Sequence, residues 1–185
     1  MPLLNMNRAI FLDRDGTLNV EKEYLHRPED VVIFPSALEA LRRLHDADYK
    51  LIVVTNQSGV GRGYYTMADV DRVNSRIARE LEAAGAPVDK FYIAPEAPDQ
   101  PSRGRKPSPQ FLFDARDEFG LDLAFCYMIG DKLIDLECGW NAGVKKSILV
   151  RTGYGATEEK NEKIKNAVVV DGLLAAADWV LNTLT

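Results

Sequence analysis

The sequence predicts an α/β fold built on a mainly parallel central sheet, and three observations carry that expectation. Short apolar runs alternate with segments of helical period along most of the chain, the pattern of successive βα units. Polar and acidic residues gather directly behind several of those apolar runs, where an open α/β sheet binds its ligands. The length of 185 residues, with 46% apolar and 28% charged residues, suits one soluble globular domain, 1–185, with a sizeable core.

Strands are expected at Ala9–Leu12, Lys50–Val54, Lys90–Ala94, Phe125–Ile129, Ser147–Val150 and Ala167–Val170. Between the first two, Ser36 opens a helix with Glu39 completing a capping box, and Leu38, Leu41 and Leu44 share one face. Thr66 and Asp69 repeat that logic ahead of Val70, Val73, Ile77 and Leu81. Ser108-Pro109 reads as an N-cap followed by proline at the first helical position. Asp131 or Lys132 starts a further helix that stops near Gly143, and Asp171 opens the last one, with Leu173, Leu174, Ala177, Val180 and Leu181 inward. The stretch Pro95–Pro107, with prolines at 95, 98, 101 and 107, is a long ordered loop. The runs Glu158-Glu159-Lys160 and Lys163–Lys165 read as a solvated face.

Composition excludes several function classes. A net charge of -5 and a pI near 5.1 argue against a nucleic-acid partner, whose phosphates demand a positive surface. No apolar run approaches membrane-spanning length, and Met1-Pro2-Leu3-Leu4-Asn5-Met6 lacks the length and basic start of a secretion signal. Cys126, in an expected strand, and Cys138, in an expected helix, read as small core residues. His26 and His45 read as surface residues. A cytoplasmic protein with no membrane partner is expected.

The chemistry is concentrated at the strand ends. Asp13-Arg14-Asp15-Gly16-Thr17 follows the first strand, and its carboxylates at i and i+2 project the same way off a glycine turn. Taken alone this is compatible with an acidic turn of no function. Three further strand ends add to it: Thr55-Asn56-Gln57-Ser58-Gly59, suited to phosphate oxygens; Arg105-Lys106-Pro107, two cations ahead of a helix N-terminus; and Gly130-Asp131-Lys132 with Asp135 one helical turn on. In a parallel sheet these ends share one edge. Together they supply what phosphoryl transfer requires. Asp13 would attack phosphorus and form an aspartyl-phosphate. Asp15 would protonate the leaving alkoxide and then deprotonate the attacking water. Thr55 and Lys106 would stabilise the equatorial oxygens. A carboxylate attacking a phosphate dianion calls for a hard cation, and Mg²⁺ fits, held by the Asp13 and Asp131 side chains and the Asp15 carbonyl. Asp135 either orients Lys106 or a metal-bound water, or serves the helix start.

On these residues the chain resembles the haloacid-dehalogenase-like hydrolase superfamily, whose motifs match Asp13–Thr17, Thr55, Lys106 and Gly130-Asp131 with Asp135. The resemblance implies a Rossmann-like three-layer α/β/α sandwich, Mg²⁺ dependence and an aspartyl-phosphate; an acid two residues after the nucleophile is the phosphatase pattern. A closer similarity covers most of the chain. Phe11–Asn19, Val54–Val60, Arg62-Gly63, Arg105–Pro107, Gly130–Lys132 and Val150–Gly153 resemble the D-glycero-D-manno-heptose-1,7-bisphosphate 7-phosphatase family. That resemblance implies a small phosphorylated sugar as partner. It implies substrate contacts at Glu21, Tyr24, Thr55, Asn56, Gln57, Ser58, Arg105, Lys106 and Lys132, with Arg105 suited to the distal phosphate.

One departure stands out. The family carries a structural zinc on a Cys-x-His, then Cys-x-Cys-Arg-Lys-Pro loop, and the matching positions here are Ala94, Glu96, Ser102 and Gly104. None offers a thiolate or imidazole, so no structural zinc is expected. Spacing leaves no room for a cap domain: only a flap fits between Thr17 and Ser36. The rival readings are a histidinol-phosphate phosphatase or another small sugar-phosphate phosphatase, a polynucleotide phosphatase module, which the acidic pI disfavours, and a non-catalytic phosphosugar-binding protein on the same fold. The catalytic set is complete in one chain, so a monomer suffices.

Overall fold

The computed structural model describes residues 7–183; the 1–6 stretch lies outside them. Six strands form one parallel sheet: β1 (Arg8–Leu12), β2 (Tyr49–Asn56), β3 (Lys90–Ala94), β4 (Tyr127–Gly130), β5 (Lys146–Val150) and β6 (Val168–Val170). Their order is β3-β2-β1-β4-β5-β6. The chain therefore reverses its direction of winding at β1, and a crevice opens where β1 and β4 end side by side. Register makes that crevice a polar one. Leu12 is level with Val53 on β2 and with Ile129 on β4, so the residues that follow each strand emerge together.

The sheet is covered on both faces. Ile10 and Leu12 face a core shared with helices α1 (Pro35–Asp46), α3 (Met67–Ala83) and α7 (Leu173–Asn182), while Ala9 and Phe11 face one shared with α4 (Gln110–Phe119) and α5 (Leu133–Ala142). This alternation is the period-2 geometry of a strand buried on both sides. Two short helical turns, α2 (Ser58–Gly61) and α6 (Gly155–Glu158), follow β2 and β5. The result is the Rossmann-like three-layer sandwich. Between β1 and α1 the flap, residues 13–34, carries a 3₁₀ turn at Pro28–Asp30 and two isolated bridges, Asp15 to Asn19 and Asn19 to Ile33.

Several boundaries differ from expectation, each for a local reason. Helix α1 begins at Pro35 with Phe34 as its cap, and no side chain caps it; Ser36 lies inside the helix because proline takes the first turn. Helix α4 begins at Gln110 behind Pro109, although the Ser108 hydroxyl still accepts from the Gln110 N–H at 3.3 Å. Gly172, not Asp171, precedes α7. Phe125 ends a 3₁₀ turn and β4 starts at Tyr127, which leaves Cys126 just ahead of the strand. Burial pushes both the Cys126 and Cys138 thiols up to about 12, as befits inert core residues. At α3, where no proline takes the first turn, the capping box forms: the Thr66 hydroxyl accepts from the Asp69 N–H, and the Asp69 carboxylate accepts from the Thr66 N–H at 2.7 Å. Helix α5 ends at Gly143 with φ 75°. The acidic run after β5 is more than a solvated face. Glu158 accepts from the Leu133 N–H at 3.2 Å, capping α5, and Glu159 pairs with Arg151 at 2.7 Å.

Leu41, fully buried on α1 against the sheet, tests this layering away from the polar edge. Leu41→Ala should lower the free energy of unfolding by about 2–5 kcal/mol, read from urea denaturation. A loss below about 0.5 kcal/mol would match an exposed surface position instead.

Candidate active site

The site starts at the end of β1. The Asp13 N–H donates to the Ile129 carbonyl at 2.9 Å, carrying the sheet one residue past the strand. The chain then turns, with the Leu18 N–H bonded to the Arg14 carbonyl at 2.8 Å and Gly16 at φ +87°. Glycine is required there twice over, by its dihedral and by space. A Cβ on Gly16 would come 2.3 Å from Asp131 Oδ2, and one on Gly153 would come 2.2 Å from the same atom. The loops after β1 and β5 thus close on the Asp131 carboxylate from two sides. The Thr152 hydroxyl donates to the Gly16 carbonyl at 2.7 Å, and the Tyr154 N–H donates to Asp131 Oδ2 at 2.8 Å.

Lys106 reaches the centre from the loop before α4. Its Nζ lies 2.6 Å from Asp13 Oδ1 and 2.6 Å from Asp135 Oδ1, and it donates to the Val54 carbonyl at 2.7 Å. Asn56 clamps its backbone, accepting from the Lys106 N–H at 3.0 Å and donating to its carbonyl at 3.2 Å. Burial alone would lower the Lys106 pKa, but Asp13 and Asp135 outweigh it and the net shift is upward. The ammonium is locked in its charged form. Asp135 also accepts from the Lys132 N–H at 3.0 Å, so it serves the start of α5 and orients Lys106 at once.

One lysine does not balance what surrounds it. Asp13, Asp131 and Asp135 bring carboxylate oxygens within 4.8 Å of one another, all in buried side chains. Burial raises the pKa of Asp131, and the like charges of Asp13 and Asp135 add to the rise; burial raises that of Asp135 despite Lys106. Asp131 Oδ1 is buried and has no hydrogen-bond partner. A hard-oxygen donor set with an orphaned carboxylate oxygen and excess negative charge fits a divalent cation such as Mg²⁺.

Asp15 is held differently. Its Oδ2 accepts from Arg14 Nη2 at 2.7 Å and Gln57 Nε2 at 3.0 Å, and its Oδ1 accepts from Asn19 at 2.9 Å. Burial pulls its pKa upward, but Arg14, Asn19 and Gln57 outweigh that and hold it below the usual carboxylate range. Arg14 itself is fully buried and is anchored on Asn74 of α3 at 3.0 Å. Gln57 also donates to the Thr55 hydroxyl at 2.8 Å and accepts from Tyr65 at 2.9 Å. Every polar atom of the Gln57 amide oxygen–nitrogen pair is therefore engaged within the protein, although the residue lines the cavity.

Above these groups lies a cavity of about 260 Å³. Asp13, Asp15, Glu21, Tyr24, Thr55, Asn56, Gln57, Ser58, Lys106 and Lys132 all line it. Arg105 does not; its guanidinium donates to the Glu96 carbonyl at 3.0 Å. Lys132 Nζ lies 3.5 Å from Glu21 of the flap. Sequence reasoning missed Arg14, Asn19, Asn74, Tyr65 and Tyr154. A signal existed for Asn74, a polar residue inside the apolar stripe Val70, Val73, Ile77, Leu81. None existed for Tyr154, because only the fold brings the loop after β5 to Asp131.

A carboxylate at the end of the first strand, a second one two residues on, a strand-end threonine, a buried lysine and an acidic cluster, all at a Rossmann-like switch point, are the arrangement of a haloacid-dehalogenase-like phosphatase. A family model described as HAD-hydrolase-like matches residues 104–176, and one described as Polynucleotide kinase 3 phosphatase matches residues 8–135. The chain is 38% identical over 183 residues to the D-glycero-beta-D-manno-heptose-1,7-bisphosphate 7-phosphatase of Salmonella typhi, covering 95% of this chain and 90% of that one. It is 37% identical to the protein of that name from Escherichia coli K12, at 95% and 89% coverage. A crystal structure of D,D-heptose 1.7-bisphosphate phosphatase from B. bronchiseptica, complexed with magnesium and phosphate, superposes with a TM-score of 0.88 at 32% identity, covering 96% of this chain and 99% of the other. This chain belongs to the D-glycero-beta-D-manno-heptose-1,7-bisphosphate 7-phosphatase family of haloacid-dehalogenase-like hydrolases.

If the acidic cluster is a cation site, Mg²⁺ must stabilise the folded state. At a concentration about 100 times its Kd the gain is about 2.7 kcal/mol, a rise in Tm on the order of 5–10 °C for a chain of this size. Asp131→Asn should abolish the rise in a thermal melt, and an undiminished rise in that variant would place the cation elsewhere.

Proposed function

We propose that this chain hydrolyses the 7-phosphate of D-glycero-D-manno-heptose 1,7-bisphosphate, with the β anomer as its substrate. The observation that carries the substrate is similarity spanning nearly the full length of relatives named for that activity. The site supports the chemistry. Asp13, oriented by Lys106, attacks phosphorus, and the bond between phosphorus and the C7 oxygen breaks as that oxygen takes a proton from Asp15, whose protonated form, disfavoured in the free site, is favoured once the phosphate dianion lies beside it. The product of this step is an aspartyl-phosphate on Asp13. Asp15, now a carboxylate held by Arg14 and Gln57, takes a proton from water as that water attacks phosphorus, releasing phosphate and restoring Asp13. Thr55 donates to an equatorial oxygen, and the Lys106 ammonium, whose hydrogens are engaged by Asp13, Asp135 and the Val54 carbonyl, stabilises the equatorial charge through its field. Mg²⁺, when bound, neutralises the charge shared by phosphate and carboxylates; the Asp13 and Asp131 side chains and the Asp15 carbonyl would hold it, with Asp135 fixing Lys106 beside them.

Glu21, Tyr24, Asn56, Ser58 and Lys132 would meet the sugar, and Arg105 would meet the distal phosphate once released from the Glu96 carbonyl. Gln57 would act through Asp15 and Thr55. The loop that bears Arg105 is stitched by side chains: Ser102 donates to Glu96 at 2.7 Å and accepts from the Arg105 N–H at 3.1 Å. Those contacts occupy two of the positions where relatives would place zinc ligands, which supports a loop that folds without zinc. No helix among the described residues is long and apolar enough to cross a membrane. We take the protein to act as a monomer on a small phosphosugar in the cytoplasm, since one chain supplies every group of the site and the relatives are named for such a substrate.

The polynucleotide phosphatase model match keeps a second substrate in view, opposed by the net charge of -5. Phosphate release should be measured on both anomers of the heptose bisphosphate, histidinol phosphate and a 3′-phosphorylated oligonucleotide, with Mg²⁺ and with EDTA. A Mg²⁺-dependent preference for the β-heptose substrate in kcat/KM is expected; preference for either of the last two would overturn the assignment. Asp13→Asn should abolish turnover. Asp15→Asn should reduce it by about 10²–10⁴-fold on the heptose substrate but far less in the phosphorylation step with p-nitrophenyl phosphate, whose leaving group needs no proton. Equal losses on both would remove Asp15 from the acid role.

A further inference from the structure

We propose that Tyr154 is a specificity-determining residue, presenting its ring and a Lys132 ammonium fixed beside it as a platform for a pyranose ring. The inference rests on the phosphosugar reading above and names the element that recognises the sugar. Tyr154 lines the cavity yet is 47% exposed, an aromatic surface left open where a ligand would sit. Its backbone is held from both sides. The Tyr154 N–H donates to Asp131 Oδ2 at 2.8 Å, and its carbonyl accepts from the N–H groups of Thr157 at 2.9 Å and Glu158 at 3.0 Å. The ring is thus aimed by main-chain bonds to the cation cradle and to α6, and its side chain takes no part in holding Asp131.

Lys132 completes the platform. Its Nζ lies 4.5 Å from the centroid of the Tyr154 ring and 3.5 Å from Glu21 Oε2, so ring and carboxylate fix the ammonium between them. The remaining ammonium hydrogens are donors for sugar hydroxyls. An exposed aromatic surface suits the C–H face of a pyranose, whose weakly positive hydrogens meet the negative face of the ring. A three-carbon phosphate ester has no such face and would bind through the phosphate groups alone. The cavity therefore divides into a part that reads phosphate, at Asp13, Thr55 and Lys106, and a part that reads the sugar, at Tyr154 and Lys132.

The test compares Tyr154→Phe, Tyr154→Leu and Tyr154→Ala on the best pyranose phosphate of the wild-type enzyme and on glycerol 3-phosphate. The ratio of kcat/KM between the two should fall at least tenfold in the Leu and Ala variants, mainly through KM, and stay within threefold of wild type in the Phe variant. The Mg²⁺-induced rise in Tm should persist in all three, because main-chain groups hold Asp131. Parallel losses on both substrates, or an undisturbed ratio in Tyr154→Ala, would overturn the inference. The heptose assignment fails separately, on the wild-type substrate preference, since the ratio is defined on whichever pyranose phosphate that enzyme prefers.

Discussion

The Lys106 ammonium between Asp13 and Asp135 is the contact on which the rest of this structure turns. It is almost fully buried and joins the end of β1, the carbonyl of Val54 on β2, the loop before α4 and the first turn of α5. A buried ion pair is weak evidence for stability, since desolvation offsets much of the attraction, but removing one partner strands the other at a cost of about 3–5 kcal/mol. Its value here is positional. It sets the Asp13 carboxylate at a fixed place relative to three other segments. It still leaves more negative than positive charge in the cluster, and the site is organised around that surplus.

A second charge system lies next to the first and does the opposite. Arg14 stands between the two aspartates in sequence, yet its guanidinium turns to Asp15 and Asn74. Asp13 is thereby governed by a lysine from across the sheet, and Asp15 by an arginine from its own turn. Two carboxylates two residues apart thus acquire different partners and different electrostatic surroundings, which is what the proposed division between nucleophile and proton carrier requires.

Much of this was legible in the sequence because parallel strands buried on both faces leave an unmistakable apolar trace, and because residues following them must converge. Asp13, Thr55 and Asp131 could be placed from that rule alone; Lys106 needed only the inference that its loop returns to the same edge. Helix starts were less legible. At Ser36 the capping pattern was present, but Pro35 fixed the first turn earlier, and local chemistry of two kinds competed for one position. The least legible parts depend on contacts between distant segments. The Glu96–Ser102 bond, the Arg14–Asn74 anchor and the approach of Tyr154 to Asp131 leave no periodic or compositional mark. The bond from the Arg105 guanidinium to the carbonyl of Glu96 is of the same kind, set by how the loop folds back on itself.

The strand order has a consequence for biogenesis. β1 leaves the ribosome first but occupies an interior position, with β2 on one side and β4 on the other. The half-sheet β1–β3 can assemble while later segments are still being synthesised, and during that interval one edge of β1 has no neighbour and Asp13 has neither Asp131 nor Asp135 beside it. Such an unpaired apolar edge is a hazard in a nascent chain. It is closed only when β4 docks, the same event that brings Asp131 and Asp135 to Asp13. Docking of β4 therefore covers that edge and completes the acidic cluster in one step, and the loop after β5 closes on Asp131 afterwards.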